Sequence, residues 1–312
     1  MGVGIKGEPT VLWLHLIESM NALWDAISQA VEETTSDHVD HGRQESLGGG
    51  CINQTFRIHG TERDYFVKIN DARLLAMFEA EAKGLQAIAR TETLRVPDPI
   101  CWGTNGNSAY LVLEHLQLGG GHDGMEALGK GLAAMHHETQ PRFGWEIDNT
   151  IGSTPQINTY ADDWSTFWRD SRLGFQLELA GRNGYGGRLQ KRGAQLIQSV
   201  PALLRGHDPQ PSLLHGDLWS GNYASTTSGE PVIYDPAVYY GDREADLAMT
   251  ELFGGFGSRF YAAYRDAWPL EEGYSVRKIL YNLYHVLNHL NLFGGGYLSQ
   301  AEAMIDQLLI LR

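Results

Sequence analysis

The order of strand-like and helix-like segments constrains the fold of this chain more than any other feature of its sequence. Runs rich in β-branched and aromatic residues lie early, at residues 55–58, 65–69 and 109–114. From about Met125 onward, apolar residues recur mostly at helical spacing. This order predicts an α+β fold. The 312 residues can bury a large core, either as one domain or as two lobes.

The first helix is predicted at residues 20–35, where apolar side chains recur at helical spacing. A polar stretch, residues 36–45, follows it. The stretch contains His38, Asp40 and His41, which are metal-binding residue types, but nothing nearby completes a coordination shell. We therefore expect a solvated loop there.

A glycine-rich segment at residues 47–54 lies just before the first strand. Glycines let backbone N–H groups approach phosphates without obstruction by side chains. The segment is neither a Walker loop nor a complete G-x-G-x-x-G, and a plain turn is the alternative interpretation. The candidate phosphate-binding residues are Gly48, Gly49, Gly50, Cys51 and Asn53.

Lys68 lies within the predicted strand at residues 65–69. A lysine on an apolar strand needs an anionic partner, because burying an unpaired charge is costly. The helix predicted at residues 74–90 offers Glu81, which shares an apolar stripe with Leu85. We predict a Lys68–Glu81 pair that holds a phosphate. A surface lysine and a solvated glutamate are the alternative.

The strand at residues 109–114 runs into Glu114-His115-Leu116, and glycines follow at 119–121. Such a strand end before a helical region suits a hinge between lobes. We expect backbone groups near Glu114 and Leu116 to contact an adenine edge.

A loop after a second apolar run holds Asp217, and Asn222 follows five positions later. Protein kinases have an Asp at this spacing that accepts the proton of the attacking hydroxyl, and an Asn that holds magnesium. Thirteen residues beyond Asn222, another strand-like run ends in Asp235. The pattern predicts an ATP-dependent phosphotransferase with Asp217 as the catalytic residue. Asn222 and Asp235 are the predicted Mg²⁺ ligands, because amide and carboxylate oxygens suit that ion.

The composition excludes some classes of protein. A formal net charge of -14 argues against a nucleic-acid partner, which would require a basic face. Only two cysteines, Cys51 and Cys101, are present, so we expect a reducing, cytoplasmic location rather than a disulfide framework. No apolar run reaches the roughly 18 residues that a membrane span requires.

Cys51 raises a question of redox control. N–H groups of a phosphate-binding loop would lower the pKa of its thiol, and oxidation there would obstruct ATP. An inert small residue is the alternative, and the sequence leaves open a monomer or a redox-dependent dimer. Residues 1–19 are interpreted as an N-terminal extension without a signal peptide, and Met20 is an alternative start.

With these motifs assembled, the chain resembles the fructosamine/ketosamine kinase family, within the wider group of aminoglycoside- and choline-kinase-like enzymes. His-Gly-Asp with a downstream Asn marks the wider group. Trp219, the Gly-Gly-Gly-Cys loop and Phe143-Gly144-Trp145 narrow the resemblance to the fructosamine kinase branch. The resemblance implies a bilobal protein-kinase-like fold. Its antiparallel β lobe with a helix spans residues 20–116, and its mainly helical catalytic lobe spans 117–312.

The resemblance also implies an activity, namely ATP-dependent phosphorylation of the 3-hydroxyl of a ketosamine. The acceptor is a fructosamine or ribulosamine, free or on protein, and the phosphorylated adduct then falls apart. Lys68 would hold the α and β phosphates. Trp219 would present its aromatic face to the sugar. His215 would lie on the substrate side with Trp219 and would brace the loop. The alternatives are an aminoglycoside, choline or other amino-sugar kinase, or a non-catalytic nucleotide-binding module.

Two further pairs of residues have predicted roles outside the phosphate and acceptor sites. Asp242 and Asp246 are expected to orient the catalytic loop or to cap the following helix. His285 and His289 lie one helical turn apart, a spacing that suits zinc. No glutamate completes a metalloprotease pattern, so we expect packed histidines there.

Overall fold

The computed structural model describes residues 10–48, 52–119 and 124–312. The chain divides into two compact units. The first contains the residues up to Ala82 together with Asp98–His115, and the second contains Lys83–Pro97 and Leu116–Arg312. Within the described ranges, no helix is both long enough and apolar enough to span a membrane.

A five-stranded sheet forms the first unit, with every neighbouring pair antiparallel and the strands in the order β1-β2-β3-β5-β4. Helix α1 covers one face of the sheet, and the indole of Trp24 meets the ring of Phe56 edge-on, 5.1 Å between centroids. Because β3 is central, a residue on it is paired on both sides. The elements are α1 (Thr10–Thr35), β1 (Val39–Leu47), β2 (Gln54–Gly60), β3 (Asp64–Asp71), α2 (Leu75–Ala89), β4 (Pro99–Asn105) and β5 (Ser108–Glu114).

Two expectations about the N-terminal part were wrong. Helix α1 begins at Thr10 rather than at residue 20, because residues 10–19 contain no helix breaker. The predicted solvated loop at residues 36–45 is instead occupied largely by β1, at Val39–Leu47. This strand lies at the sheet edge and most of its described side chains are exposed. An edge strand of that kind lacks the apolar alternation by which strands are recognised.

The second unit is mainly helical and carries three short antiparallel strand pairs, β6–β7, β8–β11 and β9–β10. Helix α3 packs on α8, and α9 packs on α5, α7 and α10. A π-helical segment, Trp168–Gly174, joins α4 to α5. The elements are α3 (Met125–His136), β6 (Asn149–Ile151), β7 (Thr154–Gln156), α4 (Trp164–Phe167), α5 (Phe175–Arg182), α6 (Gly187–Leu203), β8 (Ser212–Leu214), β9 (Tyr223–Ser225), β10 (Pro231–Ile233), β11 (Tyr239–Gly241), α7 (Glu244–Leu252), α8 (Ser258–Ala267), α9 (Tyr274–Phe293) and α10 (Leu298–Leu311).

The Phe143-Gly144-Trp145 segment belongs to the ordered part of the second unit. Gly144 and Tyr240 exchange two backbone hydrogen bonds of 2.9 Å, so the segment extends the β8–β11 pair. Both aromatic side chains are buried.

The predicted α+β fold is confirmed, with the sheet in the first unit and most helices in the second.

Candidate active site

In the first unit, Lys68 and Glu81 form the predicted ion pair. Nζ of Lys68 donates to Oε1 of Glu81 at 2.6 Å, and the two side chains are 6% and 11% exposed. The alternation of β3 turns Lys68 toward α2, and the helical stripe of α2 turns Glu81 toward the sheet. A pair this buried needs both partners, because removing one leaves a charge without compensation.

The glycine-rich segment is described only in part. Gly49, Gly50 and Cys51 lie outside the described residues. Asn53, at its end, accepts a 2.8 Å hydrogen bond on Oδ1 from Nδ2 of Asn70, and this amide also donates to the carbonyl of Ile52. Asn70 lies on β3, two residues after Lys68, so the end of the segment is tied to the strand that carries the lysine.

The strand end at Glu114 is held by Asp98. The N–H of Glu114 donates to the carbonyl of Asp98 at 2.8 Å, and the N–H of Asp98 donates back to the Glu114 carboxylate at 3.3 Å. The N–H of His115 donates to the carbonyl of Asp64. Leu116 is the first residue of the second unit. The N–H groups of Glu114 and His115 are therefore both engaged by carbonyls of the first unit.

In the second unit, two short strand pairs bring the predicted catalytic and metal-binding loops together. Asn222 directly precedes β9, and Asp235 follows two residues after β10, so the antiparallel β9–β10 pair places both at one end. The N–H of Tyr234 donates to the carbonyl of Asn222 at 3.1 Å. On the β8–β11 side, the N–H of Ala237 donates to the carbonyl of His215 at 2.8 Å.

Gly216 permits this close approach of the two loops. Its φ is +84°, in the left-handed region that favours glycine. A β-carbon at this position would lie 2.1 Å from the carbonyl oxygen of Ala237. Any side chain there would push apart the segments that carry Asp217 and Asp235.

Asp246 holds the backbone before Asp217. From α7, its carboxylate accepts the N–H of His215 at 2.7 Å and the N–H of Gly216 at 2.8 Å. It also lies 3.2 Å from Nε2 of His136, a fully buried side chain on α3. Burial alone would raise the pKa of Asp246, but the hydrogen bonds from His136 and Gly216 outweigh it and lower the pKa. The expected loop-orienting role of Asp246 is confirmed, whereas His136 was not foreseen.

His215 is fully buried and connects the two loops. Its Nδ1 accepts the N–H of Asp217 at 3.3 Å, and its Nε2 lies 3.0 Å from the carbonyl of Tyr234. Burial lowers the pKa of this ring, which suits a neutral imidazole that donates from Nε2. Both ring nitrogens are engaged by backbone groups, an arrangement that favours bracing over contact with a substrate.

Asp217 lies in an unusual electrostatic environment. Its side chain is 20% exposed, and Nδ2 of Asn222 donates to its carbonyl at 2.9 Å and to its Oδ2 at 3.3 Å. Burial raises the pKa of Asp217 to about 7, and the charges of Asp235 and Asp246 add to the rise. A carboxylate with a pKa near neutrality is a stronger proton acceptor than an ordinary aspartate.

Asp235 adopts a backbone conformation that is rare for a residue with a side chain. Its φ is +55°, in the left-handed region. Strain of this kind is found at functional sites, where the surrounding structure imposes it. Here the hydrogen bonds of Tyr234 and Ala237 fix the residues on either side of Asp235.

The donor set suits a magnesium ion. The side-chain nitrogen of Asn222 donates to Asp217, so its side-chain oxygen is the atom that could coordinate a cation. Asp235 supplies a carboxylate, and the two together provide the oxygen ligands that Mg²⁺ prefers. The mutual repulsion of Asp217 and Asp235, which is evident in the raised pKa of Asp217, would be relieved by a cation beside them.

Trp219 is partly exposed two residues after Asp217. Its ring lies over Gly221, where a β-carbon would approach the indole to 2.4 Å, and it meets Phe253 edge-on at 6.1 Å between centroids. Phe253 in turn contacts the ring of His289 at 4.6 Å. Trp219, Phe253 and His289 thus form an aromatic cluster, of which the sequence indicated only Trp219.

A second polar cluster lies at the start of α7. Asp242 lies two residues before α7 and accepts the N–H of Glu244, the first residue of that helix, at 3.0 Å. Its other oxygen is bonded to Nε2 of His207 and to the hydroxyl of Tyr281, while Glu244 forms two hydrogen bonds with Arg277. His207, Asp242 and Glu244 are close enough to share a metal ion. The arginine and the phenol already occupy these carboxylates, so the cluster is a structural network.

Comparison with known proteins places this geometry in a family. The model of the fructosamine kinase family matches residues 23–311. The chain is 51% identical over 290 residues to a probable ketoamine kinase of Synechocystis sp., covering 92% of this chain and 97% of that protein. It is 48% identical over 270 residues to the chloroplastic protein-ribulosamine 3-kinase of Arabidopsis thaliana, covering 85% of this chain and 82% of that protein.

A solved structure agrees with these matches. The crystal structure assigned as a fructosamine-3-kinase from Haemophilus somnus 129PT superposes with a TM-score of 0.86 at 30% identity. The match covers 94% of this chain and 99% of that chain, and the predicted protein-kinase-like fold is confirmed. The chain therefore belongs to the fructosamine kinase family, as the sequence motifs predicted.

Proposed function

We propose that this protein transfers the γ-phosphoryl group of ATP to the 3-hydroxyl of a ketosamine, and so initiates removal of the sugar from the amine. The observation that carries the proposal is the convergence of Asp217, Asn222 and Asp235. Nδ2 of Asn222 donates to Oδ2 of Asp217 at 3.3 Å, and the β9–β10 pair brings Asn222 and Asp235 to the same end. Trp219, two residues after Asp217, forms an aromatic surface with Phe253 that suits the C–H face of a sugar.

Asp217 would orient the acceptor hydroxyl and receive its proton as the oxygen attacks phosphorus. Phosphoryl transfer asks a protein mainly for positioning and for neutralisation of charge. Positioning begins in the backbone, since Asp246 fixes the two residues before Asp217, and His215 bonds its N–H. The carboxylate is thus held in place before any substrate arrives.

Asn222 and Asp235 would hold Mg²⁺, which would neutralise the nucleotide phosphates. Lys68, oriented by Glu81, would bind the α and β phosphates as a fixed cation. Backbone groups at Gly48, Gly49, Gly50, Cys51 and Asn53 would contact the phosphates, and those of Glu114 and Leu116 the adenine edge. We propose a sugar-amine acceptor, either small or attached to a protein.

An acceptor screen with Mg-ATP tests this function. Fructosamine and ribulosamine derivatives of free lysine and of a glycated protein would be offered beside an aminoglycoside and choline. The expected result is phosphorylation of a ketosamine, detected by mass spectrometry and by loss of the ketoamine. Asp217→Asn should reduce turnover at least about 1,000-fold while nucleotide binding persists, since only the proton acceptor is removed.

Two outcomes would contradict the proposal. Turnover of the aminoglycoside or choline in preference to every ketosamine would assign a different kinase activity. Tight Mg-ATP binding without turnover of any acceptor would identify a non-catalytic nucleotide-binding module.

A further inference from the structure

Helix α9 carries His285 close to the carboxylate of Asp217. Nδ1 of His285 lies 3.9 Å from Oδ1 of Asp217. In the part of the chain that the structure describes, this nitrogen has no hydrogen-bond partner, and it is shielded from solvent. Buried polar atoms normally have partners, so an exception beside a catalytic carboxylate calls for an explanation.

The ring of His285 is fixed by its surroundings on α9. Its side chain is 4% exposed, and the Tyr284 ring meets it edge-on at 5.2 Å between centroids. Burial lowers the pKa of His285 to about 3, and the neighbouring His289 adds to the effect, so the ring is neutral and carries one N–H. Among the described residues, His285 and His289 do not belong to a group of three ligand side chains close enough to share a metal ion. Nδ1 of His289 donates to the carbonyl of His285 at 2.8 Å, as expected for packed histidines.

The two oxygens of Asp217 have different neighbours. Oδ2 accepts from Asn222 at 3.3 Å, whereas Oδ1 faces the nitrogen of His285. The 3.9 Å separation exceeds an N–H···O hydrogen bond by about 1 Å. Catalytic hydrogen bonds are often long without substrate and shorten in the complex.

We propose that His285 is a positioning residue whose Nδ1–H donates to Oδ1 of Asp217 when the acceptor is bound. Asn222 on one oxygen and His285 on the other would then fix the carboxylate plane. A carboxylate accepts about four hydrogen bonds, so lone pairs remain for the acceptor hydroxyl. This role rests on the proposed function, in which Asp217 receives that hydroxyl.

A pair of amide substitutions tests the position of the donor. In His285→Asn the amide nitrogen is attached at Cγ, as Nδ1 is in histidine, whereas in His285→Gln it is displaced by one bond. We expect His285→Asn to retain kcat within about threefold and His285→Gln to lose about 30-fold. The KM for ketosamine and the nucleotide Kd should change less than twofold, because the residue acts through Asp217.

Asn288→Leu provides the matched control. Asn288 is buried on the same helix, and its hydrogen bonds are with Gln176 and the carbonyl of Ile151, neither of which is a residue of the proposed site. This variant should lower Tm and leave kcat within twofold. Equal kcat in the Asn and Gln variants of His285, or a rise in KM at constant kcat, would overturn the proposal.

A measurement on the unaltered enzyme covers the case in which a variant does not fold. In ¹⁵N-histidine spectra, Nδ1 of His285 should have the chemical shift of a protonated nitrogen. Its proton should move downfield on addition of ketosamine with a non-hydrolysable ATP analogue. An unprotonated Nδ1 would overturn the role of His285. Absence of ketosamine turnover by the unaltered enzyme would instead count against the proposed function.

Discussion

The α-carbon of Gly216 faces the carbonyl oxygen of Ala237 so closely that a β-carbon would lie 2.1 Å from it. This contact joins the loop of Asp217 to the segment that follows Asp235. Gly216→Ala should therefore separate the proposed catalytic and metal-binding groups. We expect kcat to fall at least about 100-fold, equivalent to roughly 3 kcal/mol of transition-state stabilisation.

Gly206→Ala is the control for Gly216→Ala. Gly206 also has a positive φ, of +77°, but a β-carbon there meets nothing within 4 Å. Gly206→Ala should lower the free energy of unfolding by about 1–2 kcal/mol, because alanine is strained in the left-handed conformation, and should leave kcat unchanged. If both variants lose activity equally, close approach of the loops is not what Gly216 provides.

Glu81→Gln should impair nucleotide use. The neutral amide accepts from Lys68 more weakly than the carboxylate does, so the buried ammonium is less well held. We expect the KM for ATP to rise about tenfold and kcat to fall, with the KM for the acceptor unchanged, in initial-rate kinetics. Glu79→Gln, two residues earlier on α2, should leave the KM for ATP within twofold. An unchanged KM for ATP in Glu81→Gln would contradict the proposed phosphate-binding role of Lys68.

Gly221→Ala should affect the acceptor rather than ATP. A β-carbon at Gly221 would approach the indole of Trp219 to 2.4 Å, so the ring must move. We expect the KM for ketosamine to rise about five- to tenfold, with the KM for ATP constant. Gly295→Ala, where a β-carbon meets nothing within 4 Å, is the control. An unchanged KM for ketosamine in Gly221→Ala would remove Trp219 from the acceptor site.

His207 should stabilise the fold more at low pH than at high pH. Burial alone would lower its pKa, but the hydrogen bond to Asp242 outweighs burial and raises the pKa above 6.5. A raised folded-state pKa contributes stability below the unfolded-state pKa, near 6.5, and this stability is lost as pH rises through the folded-state value.

Urea unfolding of wild type and His207→Gln measures this effect. The difference in free energy of unfolding should be largest at pH 6 and should shrink toward pH 9. A difference that is constant or grows with pH would show that the charge of His207 does not stabilise Asp242.

Features carried by short-range periodicity could be predicted from the sequence. The Lys68–Glu81 pair follows from the two-residue alternation of β3 and the helical stripe of α2, and it forms at 2.6 Å. Strand β1 was not predicted because its polar, exposed side chains show no alternation of apolar and polar residues. Backbone pairing with β2 holds it in the sheet. Pairing of this kind depends on the backbone and leaves little trace in side-chain chemistry.

The sequence by itself determined which chemical groups are available, and in what order: a lysine on a strand, a glutamate on the next helix, and Asp217, Asn222 and Asp235 at kinase-like spacing. Only the tertiary structure decided the environment of Asp217. The contacts that create this environment join residues remote in sequence. Asp246 accepts hydrogen bonds from His215 and Gly216, the buried His136 lies against Asp246, and His285 approaches Asp217. Such contacts depend on packing free energy that is spread over many side chains, so no local pattern encodes them, whereas alternation and spacing are imposed by the backbone itself.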